Sequence, residues 1–217
     1  TRQISLHPLA VRYPQLKDVL VSTLFRDSRR RVWIGTEESL YMCADGEMRV
    51  MADSAGAYSL GLIQALCVYE DSSHAIWVGT SSGLYRYKEG TSLSWERYSM
   101  SDGLPDDCIS GILEDKKGRL WLTTSRGLSC FDLHKKNFCN YIKQDGLPNN
   151  QFMQSAVCSS KDGTFFLGTL NGGVFFNPEH FSGTPFTPNA VITGLSIQNL
   201  PIRQAKDGDV DFYQADN

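Results

Sequence analysis

Apolar residues in this chain come in short runs broken by Gly, Asp, Ser and Lys. "CISGILED", "RLWLTTS", "GLSCFDL" and "NFCNYI" follow one another with only turn-forming residues between them. Runs of this length, rich in β-branched and aromatic residues and bounded by turn signals, predict strands joined by hairpins. The 3.6-residue spacing of an amphipathic helix is absent.

The runs recur. "VWIGTEESLY" begins at Val32, "IWVGTSSGLY" at Ile76, "LWLTTSRGLS" at Leu120 and "FFLGTLNGGV" at Phe165. Their anchors Trp33, Trp77, Trp121 and Phe166 are spaced by 44, 44 and 45 residues. Three residues after each anchor stands Thr36, Thr80, Thr124 or Thr169; six before stands Asp27, Asp71, Asp115 or, departing from the pattern, Ser160. Ten before stands a small residue, Thr23, Cys67, Gly111 or Ala156. "SDGLPDDC" and "QDGLPNNQ" lead into the third and fourth units. The usual Gly is missing at Glu38-Ser39, and Thr123 stands where the other units have Gly.

A period of about 44 residues holding four strands predicts a β-propeller blade. The small residues then belong to an innermost strand, where side chains have least room. The anchor aromatics fill the layer between blades, because repetition at one position argues for packing. The fold class is therefore all-β, a partial propeller of about four four-stranded blades over residues 1–187. Propellers close with about four to eight blades, so these units read as part of a ring, with four-bladed closure as the alternative.

Composition narrows the function classes. The chain has 217 residues, 41% hydrophobic and 21% charged, which suits a globular protein with a sizeable core. A formal net charge of -3, with Lys and Arg scattered, gives no basic footprint for nucleic acid. No apolar run approaches the roughly 18 residues needed to cross a bilayer, and Thr1 to Ala10 lacks the order of a signal peptide. Any export or anchoring signal is expected outside these residues.

The pattern "GLP", an apolar strand, then "ED..G.LW..T..GL" resembles the two-component regulator propeller repeat of bacterial hybrid sensor kinases, especially periplasmic sensors that control polysaccharide use. "DGLPNNQF...DGTFFLGTLNGGVFFNPEHF" resembles the final blade of such propellers, and "TPNAVITGLSIQNLPI" the opening of the immunoglobulin-like domain that follows them. The resemblance implies a ring of about seven blades, a domain boundary at 187/188, and 188–217 as the start of an incomplete immunoglobulin-like domain. It also implies a periplasmic location within an inner-membrane-anchored histidine kinase. The expected partners are an oligosaccharide or a sugar-loaded partner protein, the remaining blades of the parent chain, and a second copy in a homodimer.

Chemistry-bearing motifs are few. His7, His74, His134 and His180 lack zinc spacing, and there is no Cys-x-x-Cys, Gly-x-Ser-x-Gly or P-loop. No metal, cofactor or catalytic residue is expected. Of six cysteines, Cys67 and Cys158 fall on inner strands and read as buried thiols. A two-residue turn at His134-Lys135 would set Leu133 opposite Lys136 and Cys130 directly across from Cys139. Two reduced thiols are favoured there over a bridge.

The leading function is a non-catalytic ligand-sensing segment that answers a glycan-derived signal. The alternatives are a carbohydrate-binding module and a lyase on a propeller scaffold, which would need convergent His, Glu or metal ligands on one face. The loops after "DGLP" and at "TxxG" fall at the same end of their strands, so one rim gathers Glu37, Glu38, Ser81, Ser82, Arg126, Asn149, Asn150 and Asn171. Arg126, Asn149, Asn150 and Asn171 are the candidate sugar contacts, since amides and guanidinium groups match adjacent hydroxyls. The competing reading makes the asparagines turn caps and Arg126 a solvated side chain.

Overall fold

The strand runs form consecutive hairpins, each sheet closing before the next begins. The computed structural model describes residues 13–53, 64–88 and 94–180, with the backbone of three further strands at 195–197, 200–204 and 210–212. The first blade is β1 (Val21–Arg26), β2 (Val32–Thr36), β3 (Ser39–Ala44) and β4 (Glu47–Asp53). The second is β5 (Ala65–Glu70), β6 (Ile76–Thr80), β7 (Gly83–Lys88) and β8 (Ser94–Tyr98). The third is β9 (Ile109–Glu114), β10 (Leu120–Thr124), β11 (Gly127–Asp132) and β12 (Asn137–Tyr141). Each is an antiparallel meander in sequence order. The fourth, β13 (Phe152–Ser159), β14 (Phe165–Thr169) and β15 (Gly172–Phe176), has three strands among the described residues instead of the expected four.

The innermost strands β1, β5, β9 and β13 adjoin one another, and Gln154 of β13 donates its amide to the Leu66 carbonyl of β5 at 3.1 Å. Space there is tight enough to dictate residue type. A Cβ on Gly35 would sit 2.5 Å from Thr23 Cγ2 and 2.9 Å from Ala65 Cβ. Thr123 pairs with Gly111, so in the third blade the glycine has moved across the ladder to the inner strand. Thr23 with Gly35 and Cys67 with Gly79 are the same pair in the opposite sense.

Each blade presents its anchor face to the far face of the next. Trp33, Leu40 and Met42 of the first blade bury against Val68, Ile76, Val78 and Tyr85 of the second. Trp77 and Leu84 bury against Ile112, Leu120, Leu122 and Phe131 of the third. Trp121, Leu128 and Cys130 do so against Phe152, Phe165 and Leu167 of the fourth. Burial of an indole at every seam is the main apolar contribution to stacking.

The fourth blade departs from expectation on this face. Phe166 is 45% exposed and its cross-strand neighbour Phe175 is 74% exposed, so the fourth anchor is not core. Cys158, opposite Phe166, is exposed for the same reason, whereas Cys67 is buried. Among the described residues no further blade covers that face.

Cys130 pairs with Cys139, Phe131 with Phe138 and Asp132 with Asn137, the register the sequence implies. The turn differs: pairing ends at Asp132–Asn137, Lys136 N–H bonds the Asp132 carbonyl at 2.8 Å, and Lys136 has φ 53°, giving a four-residue loop. Asp132 Oδ1 accepts the N–H groups of His134 and Lys135, which favours the longer loop. All six cysteines are free thiols.

A second unit, Ser182–Asn217, contains β16 (Leu195–Ile197), β17 (Leu200–Gln204) and β18 (Val210–Phe212) in one antiparallel sheet. The expected boundary at 187/188 lies outside the described residues.

Candidate ligand-binding rim

Antiparallel pairing sets the rim. Thr124 of β10 pairs with Ile109 of β9, and Thr169 of β14 with Phe152 of β13, so the loop entering each inner strand meets the turn leaving the next strand. Leu170 N–H bonds the Gln151 carbonyl at 3.2 Å, and Ser81 N–H the Gln64 carbonyl at 3.1 Å, tying the two loops together.

The repeated threonine closes the outgoing turn. Its Oγ1 donates to the carbonyl three residues on: Thr36 to Ser39 at 2.9 Å, Thr80 to Gly83 at 2.8 Å, Thr124 to Gly127 at 2.7 Å and Thr169 to Gly172 at 2.9 Å. The first blade keeps this bond although Ser39 replaces the glycine. Arg126 donates its backbone N–H to Thr124 Oγ1 at 3.0 Å, which leaves its exposed side chain reaching from the turn. Asn171 occupies the equivalent turn of the fourth blade and is also exposed.

Asn149 and Asn150 have backbone work. Asn149 Oδ1 accepts the Gln151 N–H at 3.0 Å, and Asn150 Oδ1 accepts the Lys143 N–H at 2.6 Å. In the third blade Asp106 and Asp107 make the same bonds, to Cys108 N–H at 2.9 Å and Met100 N–H at 2.7 Å. Asp and Asn interchange because only an acceptor oxygen is needed. These asparagines are turn caps, whatever their amino groups meet.

Asn149, Asn150 and Asn171 lie on loops at one end of the fourth blade, and Arg126 lies on the corresponding turn of the third. Glu37 and Glu38 line a separate cavity of about 240 Å³ with Asp18 and Tyr41. Ser81 and Ser82 sit in the second blade's turn, where Arg97 bonds the Ser82 carbonyl at 2.7 Å.

The opposite end carries contacts that spacing alone left unexplained. Asp27, Asp71 and Asp115 each accept the indole N–H of their anchor, Trp33 at 2.9 Å, Trp77 at 2.7 Å and Trp121 at 2.9 Å. Burial raises the Asp27 and Asp71 pKa values, but bonds from the indoles, Arg31, Ser73 and backbone N–H groups outweigh it and hold both below the usual range. Where Phe166 replaces Trp there is no N–H to accept, and Ser160 replaces Asp. A second repeated contact joins blades: Glu70 accepts the Ser28 N–H at 2.7 Å, and Glu114 accepts the Ser72 N–H at 2.7 Å. His7 lies outside the described residues; His74 Nδ1 faces Glu70 Oε1 at 3.1 Å, and His134 and His180 are exposed. Among the described residues no group of three or more His, Cys, Asp or Glu is arranged to hold a metal ion, and no helix is long and apolar enough to cross a membrane.

Residues 103–126 match the two-component regulator propeller family. The chain is 33% identical over 185 residues, 82% of its length, to histidine kinase P4 of Formosa agariphila, but spans only 13% of that protein. It superimposes with TM-score 0.69 at 26% identity on the extracellular domain of a hybrid two-component system of B. thetaiotaomicron, over 88% of this chain and 26% of that one. Virginiamycin B lyase of Staphylococcus aureus is similar in fold, with TM-score 0.52 at 14% identity over 92% of this chain and 71% of that one. That likeness shows the fold alone. Repeat, blade architecture and relatives agree: the chain carries the two-component regulator propeller repeat and is similar to the extracellular domain of a hybrid two-component system and to a histidine kinase.

Proposed function

We propose that this chain is part of the ligand-receiving segment of such a kinase, periplasmic, non-catalytic and responsive to a glycan-derived signal. The observation that supports it most is the similarity over 88% of the chain to the extracellular domain of a hybrid two-component system. In this reading the rigid blades hold variable turns at one rim, and Arg126 and Asn171 contact an oligosaccharide or a sugar-loaded partner. Asn149 and Asn150 shape the loop beside them. The sheet after residue 194 begins an immunoglobulin-like domain that relays the change toward the membrane, and the kinase works as a homodimer. Calorimetry on the complete ectodomain with a glycan panel tests this, comparing wild type with Arg126→Ala and Asn171→Ala. A loss of about tenfold in affinity in each variant is expected for removal of a charged or polar contact. Unchanged affinity in both removes the rim, and absence of binding across the panel removes the glycan.

A further inference from the structure

Cations that are scattered along the sequence gather at one end of the blades. The first two strands of each blade are joined by a turn, at residues 27–31, 71–75, 115–119 and 160–164. All four turns share one geometry. The N–H of Arg30, His74, Gly118 or Gly163 bonds the carbonyl three residues earlier at 2.8–3.0 Å, and that residue has φ between 65° and 91°. The turns are also stitched to one another: Ser28 Oγ donates to Glu70 at 2.6 Å, Ser72 Oγ to Glu114 at 2.6 Å, and Lys116 Nζ to the Asp162 carbonyl at 3.4 Å. Four tips of the same shape therefore stand side by side in a row.

Arg29, Arg30, Lys116, Lys117 and Lys161 are exposed on this row. The aspartates at the turn bases, Asp27, Asp71 and Asp115, are buried under their indoles, which leaves Asp162 as the exposed carboxylate of the four turns. Glu179 meets Lys116 at 3.5 Å, but among the described residues no carboxylate pairs with Arg30, Lys117 or Lys161. The chain carries a formal net charge of -3, so these cations are gathered against the sign of the whole and mark one end for an anionic partner. The turns hold no apolar side chain larger than Ala75, so nothing on them enters a lipid layer, and a hydrated chain fits the row better than a membrane does.

We propose that this row of hairpin tips binds a linear acidic polysaccharide, whose sulfate or carboxylate groups lie along it with Arg30, Lys117 and Lys161 as principal contacts. Each exposed ion pair is weak alone, but charges repeated along one chain meet cations repeated along one row, and the contacts add. The inference rests on the tips and is separate from the rim reading, so either can fail without the other.

Fluorescence anisotropy of this chain with labelled heparin, labelled polygalacturonate and neutral dextran tests it. Binding of at least one acidic polymer and none of dextran is expected. Affinity should fall about tenfold or more when Lys117→Gln and Lys161→Gln are combined, and again when sodium chloride is raised from ~50 mM to ~150 mM. Lys17→Gln with Lys143→Gln removes the same charge from the opposite end, beside Asp18 and Asn150, and should leave affinity within about twofold. Heparin alone identifies sulfate recognition, polygalacturonate alone carboxylate recognition, and either supports the site. If the double variant at the tips fails to fold, Arg30→Asn decides, because asparagine tolerates the left-handed backbone there. Equal weakening by the two double variants overturns the proposal and assigns the attraction to diffuse charge. Absence of binding to both acidic polymers, equal binding of dextran, or binding of phosphatidylglycerol vesicles in their place overturns it as well.

Discussion

Asp71 Oδ2 accepts the indole N–H of Trp77 at 2.7 Å, and both residues are buried. The same carboxylate accepts the Ser73 and Ala75 N–H groups, so one side chain anchors the turn and the seam together. Asp71→Ala is expected to cost about 1–3 kcal/mol in urea unfolding, the range for stranding a buried donor. Because donor and acceptor are coupled, Trp77→Phe should cost less in the Asp71→Ala background than alone. Additive losses would show that the bond carries no energy of its own.

Asp27 and Asp71 contribute to the acid limb. Their folded pKa values lie below the usual 3.8, so their contribution is fully present above the unfolded value and is lost as pH falls through the folded one. Stability should be flat from about pH 7 to about pH 5 and fall below about pH 4. The urea midpoint of Asp71→Asn, which has no carboxylate to protonate, should fall less steeply. Parallel acid limbs would assign the loss to other groups.

A phenylalanine inside a seam and one on the outer face of the fourth blade should differ in worth. Phe131 is fully buried and stacks on Phe138 with centroids 4.2 Å apart, while Phe175 is 74% exposed. Phe131→Ala is expected to lower stability by about 3–5 kcal/mol, and Phe175→Ala by less than about 1 kcal/mol. Thermal unfolding separates them, and a large loss for Phe175→Ala would mean that this face is covered in solution.

Thiol reactivity should divide the cysteines. Burial pushes the Cys67 and Cys130 thiols up to about 12, while Cys139 and Cys158 are exposed. A brief iodoacetamide pulse near about pH 8 should modify Cys139 and Cys158 and spare the other two until denaturant is added. Peptide mass spectrometry reads this directly. In protein isolated without reductant, protection of Cys139 with Cys158 labelled, and two hydrogens missing, would reveal a Cys130–Cys139 bridge.

The blades were legible because the units repeat the same local demand: a threonine to close a turn and a small inner residue in all four, and an indole to bury in the first three. The Cys130–Cys139 register followed from hairpin symmetry. Exposure of Phe166 was not legible, since burial at the anchor depends on what stacks against it and not on its own unit. The cap roles of Asn149 and Asn150 emerge only when Asp106 and Asp107 are seen making the same bonds. The stacking of Arg86 on Trp77 was hidden because it crosses from one strand to its neighbour.

The exchange of Gly35–Thr23 for Thr123–Gly111 shows that selection near the axis acts on a pair and not on a position. A Cβ added at Gly111 would meet Thr123 Oγ1 at 2.8 Å and Val157 Cγ1 at 2.7 Å, so blocking either site alone is penalised while trading the two is tolerated. Consecutive units can therefore drift apart in sequence along compensated steps without changing their distance from the axis. Grafting the β10 strand of one unit onto the β1 strand of another would place two side chains where there is room for one, so blades of this chain are interchangeable only as whole hairpins.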